Sequence, residues 1–356
     1  MKAINNKVIL YVVEDKESAQ YRYRVENIKE TLKESKKWEV KCLLRSEISQ
    51  NESLLKESDL VIILRQTAKD DTLINLVKKI RKTGVMVLCD LDDLIFDYRY
   101  LPLLMQSTNS KNIFYWLGYF WGIRRIAKRV DGFLCTNEFL GQKLKRSFKK
   151  PVKVIPNSLN REQVEVSEKY TKSKKWDGFR IGYFSGSPTH AKDFRMVEGE
   201  LTRFLTQYKD AELIVVGYME FSVEMEKWIK AGRVKVIKPV EYLKLQKLVA
   251  EVNVNIAPLV INDFTNCKSE LKFFEAAVVE TTTIASPIYT FKRAIKDGEN
   301  GFLARPGEWY EKLEYLYQHP KENRKVALTA KKYALKHYYG QEFRKQVEET
   351  YDYFAK

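Results

Sequence analysis

Short apolar runs alternate with longer segments of mixed polarity along most of this chain. Six runs of strand length fall in the first part, at 8–13 (VILYVV), 38–44, 58–64 (SDLVIIL), 85–89, 131–136 (DGFLCT) and 152–155. They are rich in Val, Ile and Leu with little polar alternation, the pattern of strands covered on both faces. Between them the spacing predicts helices over 21–34, 71–82 and 138–147. A second set of runs follows at 179–184, 211–216, 234–237, 252–256 and 282–286, with helices expected over 242–249 and from near Ser269. Beyond Leu303 the pattern is helical through 308–318, 321–336 and 340–354. Strands alternating with helices in this way predict an α/β fold of doubly wound parallel sheets.

Length and punctuation divide the chain. Its 356 residues are enough for two domains of about 150–200 residues each. The first set of strands closes at Pro156-Asn157-Ser158, and the polar, charged stretch 160–177 is expected to be a linker. The four cysteines, Cys42, Cys89, Cys135 and Cys267, lack CxxC spacing, which argues against a metal site or a disulfide framework and fits a reducing cytoplasm. There is no apolar run of about 18 residues and no apolar leader before the first strand. The chain is therefore expected to be soluble, or attached to a membrane from outside. The net charge of +16 changes the picture, because residues 121–180 hold 16 Lys/Arg against 6 Asp/Glu. Phosphorylated ligands, an anionic membrane surface and nucleic acid are the partners such charge allows. Signals of the common nucleic-acid-binding modules are missing, which ranks nucleic acid last.

Candidate chemistry collects where strands end, as it does in doubly wound sheets. Arg22, Arg24, Arg65 and the cluster Asp90, Asp92 and Asp93 lie at or just past such ends. An Asp-x-Asp-Asp cluster can bind Mg²⁺, but capping and salt-bridging to the nearby arginines is the favoured reading. The strand at 179–184 runs into Ser185-Gly186-Ser187-Pro188-Thr189-His190-Ala191-Lys192, a Gly/Ser loop before a helix, which suits a phosphate. It has neither dinucleotide nor Walker spacing. His190 is either a loop cap or a substrate contact. Further on, Lys268, Lys272 and Glu275 fall within about 40° of one face of a helix starting near Ser269. Two lysines near a helix start are unfavourable unless a polyanion docks there, and Glu275 would then face the sugar hydroxyls hanging from it. The segment 113–129 (IFYWLGYFWGIRRIAKR) turns abruptly from aromatic to basic. It suits either a core helix or an element lying at a membrane surface.

The order of a basic helix start, Glu-Ala-Ala at 275–277, a strand ending Ala-Ser-Pro at 285–287 and DGENGFL at 297–303 resembles the donor half of GT-B glycosyltransferases, most closely family 4 (group 1). That resemblance implies two Rossmann-like doubly wound domains facing across a cleft. The boundaries would be an acceptor-binding domain at 1–158, a linker at 159–178, a nucleotide-sugar-binding domain at 179–338 and a last helix at 339–356 crossing back to the first domain. In the family, two glutamates are separated by seven intervening residues. Glu275 matches the second, which holds the ribose hydroxyls, and Cys267 occupies the first position. Lys192 matches a lysine that grips the donor phosphates, while Ser187 stands where the family has an arginine.

Lys192 from the resemblance, with Lys268 and His190 from the residues themselves, makes the expected catalytic set, and Gly186, Ser187, Ser269, Lys272 and Glu275 are expected to bind the donor. Arg22, Arg24, Asp92 and Asp93 would face the acceptor. The implied reaction moves a sugar from a nucleotide-diphosphate donor to a glycan or lipid-linked acceptor, with retention, no metal and no cofactor. Its implied setting is cell-surface polysaccharide synthesis on the cytoplasmic face of the membrane. The family's first-domain histidine has no counterpart, since His190, His319 and His337 all lie later. A catalytically inactive GT-B scaffold is the alternative that these departures leave open.

Overall fold

The computed structural model describes residues 6–68, 71–108, 110, 112–172, 178–186, 191–217 and 219–355. The chain divides into two compact units. The first comprises Met1–Asn160, Cys267–Ser269 and His337–Lys356, and the second Arg161–Asn266 and Glu270–Lys336. Each is built on a six-stranded sheet in which every pairing is parallel.

The first sheet contains β1 (Lys7–Val13), β2 (Trp38–Leu44), β3 (Leu60–Leu64), β4 (Met86–Leu91), β5 (Gly132–Cys135) and β6 (Val152–Val154), in the order β2-β1-β3-β4-β5-β6. Ile9 lies opposite Val40 on one side and Leu60 on the other, so the unbroken apolar run of β1 is buried by neighbours as well as by helices. The helix Gly340–Phe354 supplies Phe343, Val347, Tyr351 and Phe354 to the same core, and the Tyr351 hydroxyl lies 2.9 Å from that of Tyr11.

The second sheet contains β7 (Phe179–Phe184), β8 (Ala211–Val216), β9 (Val234–Ile237), β10 (Val254–Ala257), β11 (Thr282–Ala285) and β12 (Phe302–Leu303), in the order β12-β11-β10-β7-β8-β9. Its core joins Ile181, Tyr183, Leu213 and Ile256 to Trp309 and Leu313 of the helix Trp309–Gln318. In each sheet the chain departs from its first strand to both sides. The crevices where ligands collect therefore lie past the carboxyl ends of β1 and β3, and of β7 and β10.

The doubly wound architecture is the one expected, but three local readings change. Within the polar stretch expected as linker, Arg161–Lys172 is a helix. Its buried positions, Gln163, Val164 and Ser167, recur at helical spacing, but two of the three are polar, so hydropathy alone does not display the stripe. The helix expected from Ser269 begins at Leu271. The helix after β1 contains a π-turn at Arg22–Glu26, which places Tyr23, Arg24 and Val25 in succession inside the unit.

Candidate functional site

In the second unit the crevice past β7 and β10 is held by a small set of polar contacts. The helix Ala191–Gln207 starts beside it, with Lys192 exposed in the first turn. The neighbouring Asp193 is buried, and its carboxylate accepts from the backbone N–H of Val260 at 2.9 Å, fixing the loop that leaves β10. Ser286 accepts from the N–H of Leu259 at 2.8 Å and pins the same loop to the end of β11. Gly217, at the end of β8, has φ +118°, and a Cβ there would meet the Ser185 carbonyl oxygen at 1.9 Å. Only glycine lets β8 close against the turn that carries Ser185 and Gly186.

The helix Leu271–Val278 covers the other side of this crevice. Asn255 of β10 donates to the Lys272 carbonyl at 2.9 Å and to the Thr283 hydroxyl at 3.1 Å, tying the helix to the sheet. The Lys272 ammonium sits over the Tyr183 ring, 4.7 Å from its centroid, and thus reaches from the β10–β11 side towards β7. Glu275, three residues on, is half-buried and accepts from Gln163 Nε2 at 3.3 Å. A helix N-terminus bearing one lysine, a second lysine on the facing helix and a fixed carboxylate beyond it form a place for a phosphorylated ligand carrying hydroxyls.

Several expected residues take other positions. Lys268 and Ser269 precede the helix rather than opening it, so only Lys272 and Glu275 share its face. The segment that contains them is part of the first unit. There Asn137 donates to the carbonyl of Cys267 at 2.8 Å, and Asn157 donates to the Ser269 hydroxyl at 3.0 Å. The helix is entered through Glu270, whose negative charge opposes an anion at that N-terminus. The phosphate reading therefore shifts towards Lys192 and Lys272. Gly186 is exposed beyond β7, and Ser187 and His190 lie outside the described residues. Asp193, Asn255 and Gln163 were not singled out by the pattern. Asp193 had a signal, being adjacent to Lys192 at a helix start, whereas the other two act through contacts far apart in sequence.

In the first unit Arg24, expected on the acceptor side, is 1% exposed and paired with Asp90, which is fully buried. Its Nε lies 3.1 Å from both Asp90 oxygens, and a terminal nitrogen donates to the Ile155 carbonyl at 2.5 Å and to Asn157 at 3.2 Å. Burial pushes the Asp90 carboxyl up against the pull of Arg24. The pair ties the end of β4 to the segment after β6 and is closed to an acceptor. Arg22 is half-buried, with its guanidinium stacked on Tyr23 at 4.4 Å. Arg65 holds both Asp92 and Asp93 at 2.9 Å and donates to the Tyr119 hydroxyl at 3.3 Å. Its backbone has φ +32°, an unusual conformation for a non-glycine residue, at the edge of the β1/β3 crevice. All three carboxylates of the acidic cluster are thus engaged by arginine, as the salt-bridge reading expected.

The aromatic segment forms the helix Ile113–Ala127. Phe120, Ile123 and Ile126 face the core, while Phe114 (83%), Tyr115 (56%) and Trp121 (50%) are open to solvent. Trp116 is half-buried. Arg124 donates to the Phe96 carbonyl and Arg125 to that of Ala68 and to Asp71, so these two cations are used within the fold. Among the described residues no helix is long and apolar enough to cross a membrane.

Comparison with known proteins bears on the second unit first. Residues 179–319 match the family model described as "Glycosyl transferases group 1". No curated protein matches the sequence. Among solved structures, Anabaena Alr3699/HepE in complex with UDP and glucose superposes with a TM-score of 0.65 at 14% identity, over 98% of this chain and 100% of that one. Sucrose-phosphate synthase from Thermosynechococcus elongatus gives 0.64 at 14% identity, over 98% and 99%. WaaG, a glycosyltransferase involved in lipopolysaccharide biosynthesis, gives 0.62 at 13% identity, over 97% and 99%. The chain has the GT-B fold of two Rossmann-like units, and its second unit carries the group 1 glycosyl transferase signature.

Proposed function

We propose that the protein transfers a sugar from a nucleoside-diphosphate donor to a hydroxyl of a glycan or lipid-linked acceptor. The observation that carries this reading is the β7/β10 crevice, where Lys192 at a helix N-terminus, Lys272 and Glu275 lie around one switch point. In the reaction the anomeric C–O bond to the diphosphate breaks. The acceptor oxygen bonds to the anomeric carbon and loses its proton, and the nucleoside diphosphate leaves. Lys192, Lys272 and the helix N–H groups would meet the charge growing on the leaving phosphate. Glu275 would accept from the ribose hydroxyls. Retention and independence of metal follow the family resemblance. On the first unit, Asp92 and Asp93, held by Arg65, and Arg22 are the groups offered to an acceptor.

The test is a thermal-shift panel of nucleoside diphosphates and nucleotide sugars in buffer containing EDTA. At a hundredfold excess over the dissociation constant, a true ligand stabilises by about 2.7 kcal/mol. A shift for one nucleotide class is expected with EDTA present. A shift that appears only when Mg²⁺ or Mn²⁺ is added would return Asp92 and Asp93 to consideration as metal ligands.

A peripheral attachment to anionic membrane, and with it a lipid-linked acceptor, is favoured by the outward aromatics of Ile113–Ala127. Arg124, Arg125 and Arg129 all donate within the fold, and Lys128 would supply about 1 kcal/mol near an anionic surface. Binding should therefore rest on the aromatics and respond only partly to salt. Wild-type protein is expected to co-sediment with phosphatidylglycerol vesicles, and Phe114→Ala with Trp121→Ala to remain in the supernatant with unchanged circular dichroism. Equal sedimentation of both proteins would end this reading.

A further inference from the structure

We infer that Gln163 is a positioning residue of the donor site, orienting the Glu275 carboxylate towards a vicinal diol of the kind a ribose presents. This rests on the donor site proposed above and adds a residue on a separate helix to it. The helix Arg161–Lys172 belongs to the second unit and packs against the helices Tyr242–Ala250 and Leu271–Val278. Seams between helices are ordinarily apolar. This one buries Gln163 (2% exposed), Ser167 (0%) and Gln246 (2%). The Ser167 hydroxyl and the Gln246 side-chain oxygen have no hydrogen-bond partner among the described residues, so polar groups here are not explained by mutual pairing. Gln163 differs from them in having a definite target, Glu275 Oε1 at 3.3 Å.

The chemistry of that contact suits a sugar-binding carboxylate. An amide N–H fixes the rotamer of Glu275 without cancelling its charge, as a lysine at 163 would. A carboxylate has about four lone-pair sites, and the bond from Gln163 takes one of them. A carboxylate held in this way discriminates, because a ligand lacking one hydroxyl leaves part of a desolvated acceptor unpaired. Gln163 thus contributes to selectivity for a ribonucleotide over its 2′-deoxy counterpart, through Glu275 rather than by contact of its own.

The experiment is calorimetric titration of the full chain with UDP and with 2′-deoxy-UDP. Gln163→Met, similar in shape, is expected to bind UDP about tenfold more weakly and to lose most of the wild-type preference for the ribo form. Ser167→Ala, on the same buried stripe one turn away, should change neither value, which separates positioning from general disturbance of the seam. Gln163→Glu places a second carboxylate against Glu275 and should weaken UDP at least as much, and it decides the question if Gln163→Met does not fold. Unchanged UDP affinity and ribo preference in the folded Gln163 variants, with loss in Glu275→Gln, would overturn the role of Gln163 alone. If Glu275→Gln also binds as wild type, or if the wild type binds neither these nor any other nucleoside diphosphate of the thermal-shift panel, the donor-site reading itself fails.

Discussion

Arg24→Leu is expected to destabilise the protein by about 3–5 kcal/mol, although Arg24 touches no solvent. Removing one partner of a buried ion pair leaves the other charge without compensation, and that cost exceeds the net worth of the pair. Here the remaining group is Asp90, fully buried at the end of β4. The variant also loses the bonds to the Ile155 carbonyl and to Asn157. Burial already pushes the Asp90 carboxyl up with Arg24 present, and without it the rise will be larger. A carboxyl whose pKa is raised by folding contributes full stability below its unfolded value and loses it as pH rises through the folded value. The deficit of Arg24→Leu should therefore shrink towards acidic pH, and adding Asp90→Asn should recover part of it at neutral pH. Urea denaturation of the three proteins at two pH values reads both effects. A loss below about 1 kcal/mol at neutral pH would mean that water reaches the pair in solution.

Glu275→Ala is expected to weaken binding of the nucleotide donor by roughly ten- to a hundredfold, the usual worth of a hydrogen bond to a charged group at about 1.5–3 kcal/mol. The fold should survive. Glu275 is half-buried, and alanine is at home in a helix. The Gln163 amide loses an acceptor, which costs about 1 kcal/mol of stability. The two effects are separable, because donor affinity is read by titration and stability by melting without ligand. An unchanged dissociation constant in a folded variant would remove Glu275 from the donor site.

The alternation of short apolar runs with helical spacing determined the doubly wound architecture, because a strand buried on both faces is mostly apolar along its length. Strands 38–44 and 179–184 agree with the structure to the residue, although the first, at the sheet edge, alternates buried and exposed positions. The pair Lys272 and Glu275 was equally legible, since residues three apart share a helix face wherever the helix begins. The start itself was not legible. Whether Ser269 or Leu271 opens the helix depends on Asn137 and Asn157 holding the preceding segment in the first unit, across more than a hundred residues of chain. Arg24 shows the same limit. At a strand end an arginine suits an anionic ligand as well as it suits a buried carboxylate, and the choice was made by a π-turn and by Asp90, 66 residues away. The aromatic helix at 113–127 differs again. Its composition fits burial and exposure alike, and only the packing of Phe120, Ile123 and Ile126 leaves Phe114, Tyr115 and Trp121 outside. Local pattern decides what a segment becomes. Which of its faces meets protein, ligand or solvent is decided by partners that arrive from elsewhere in the chain.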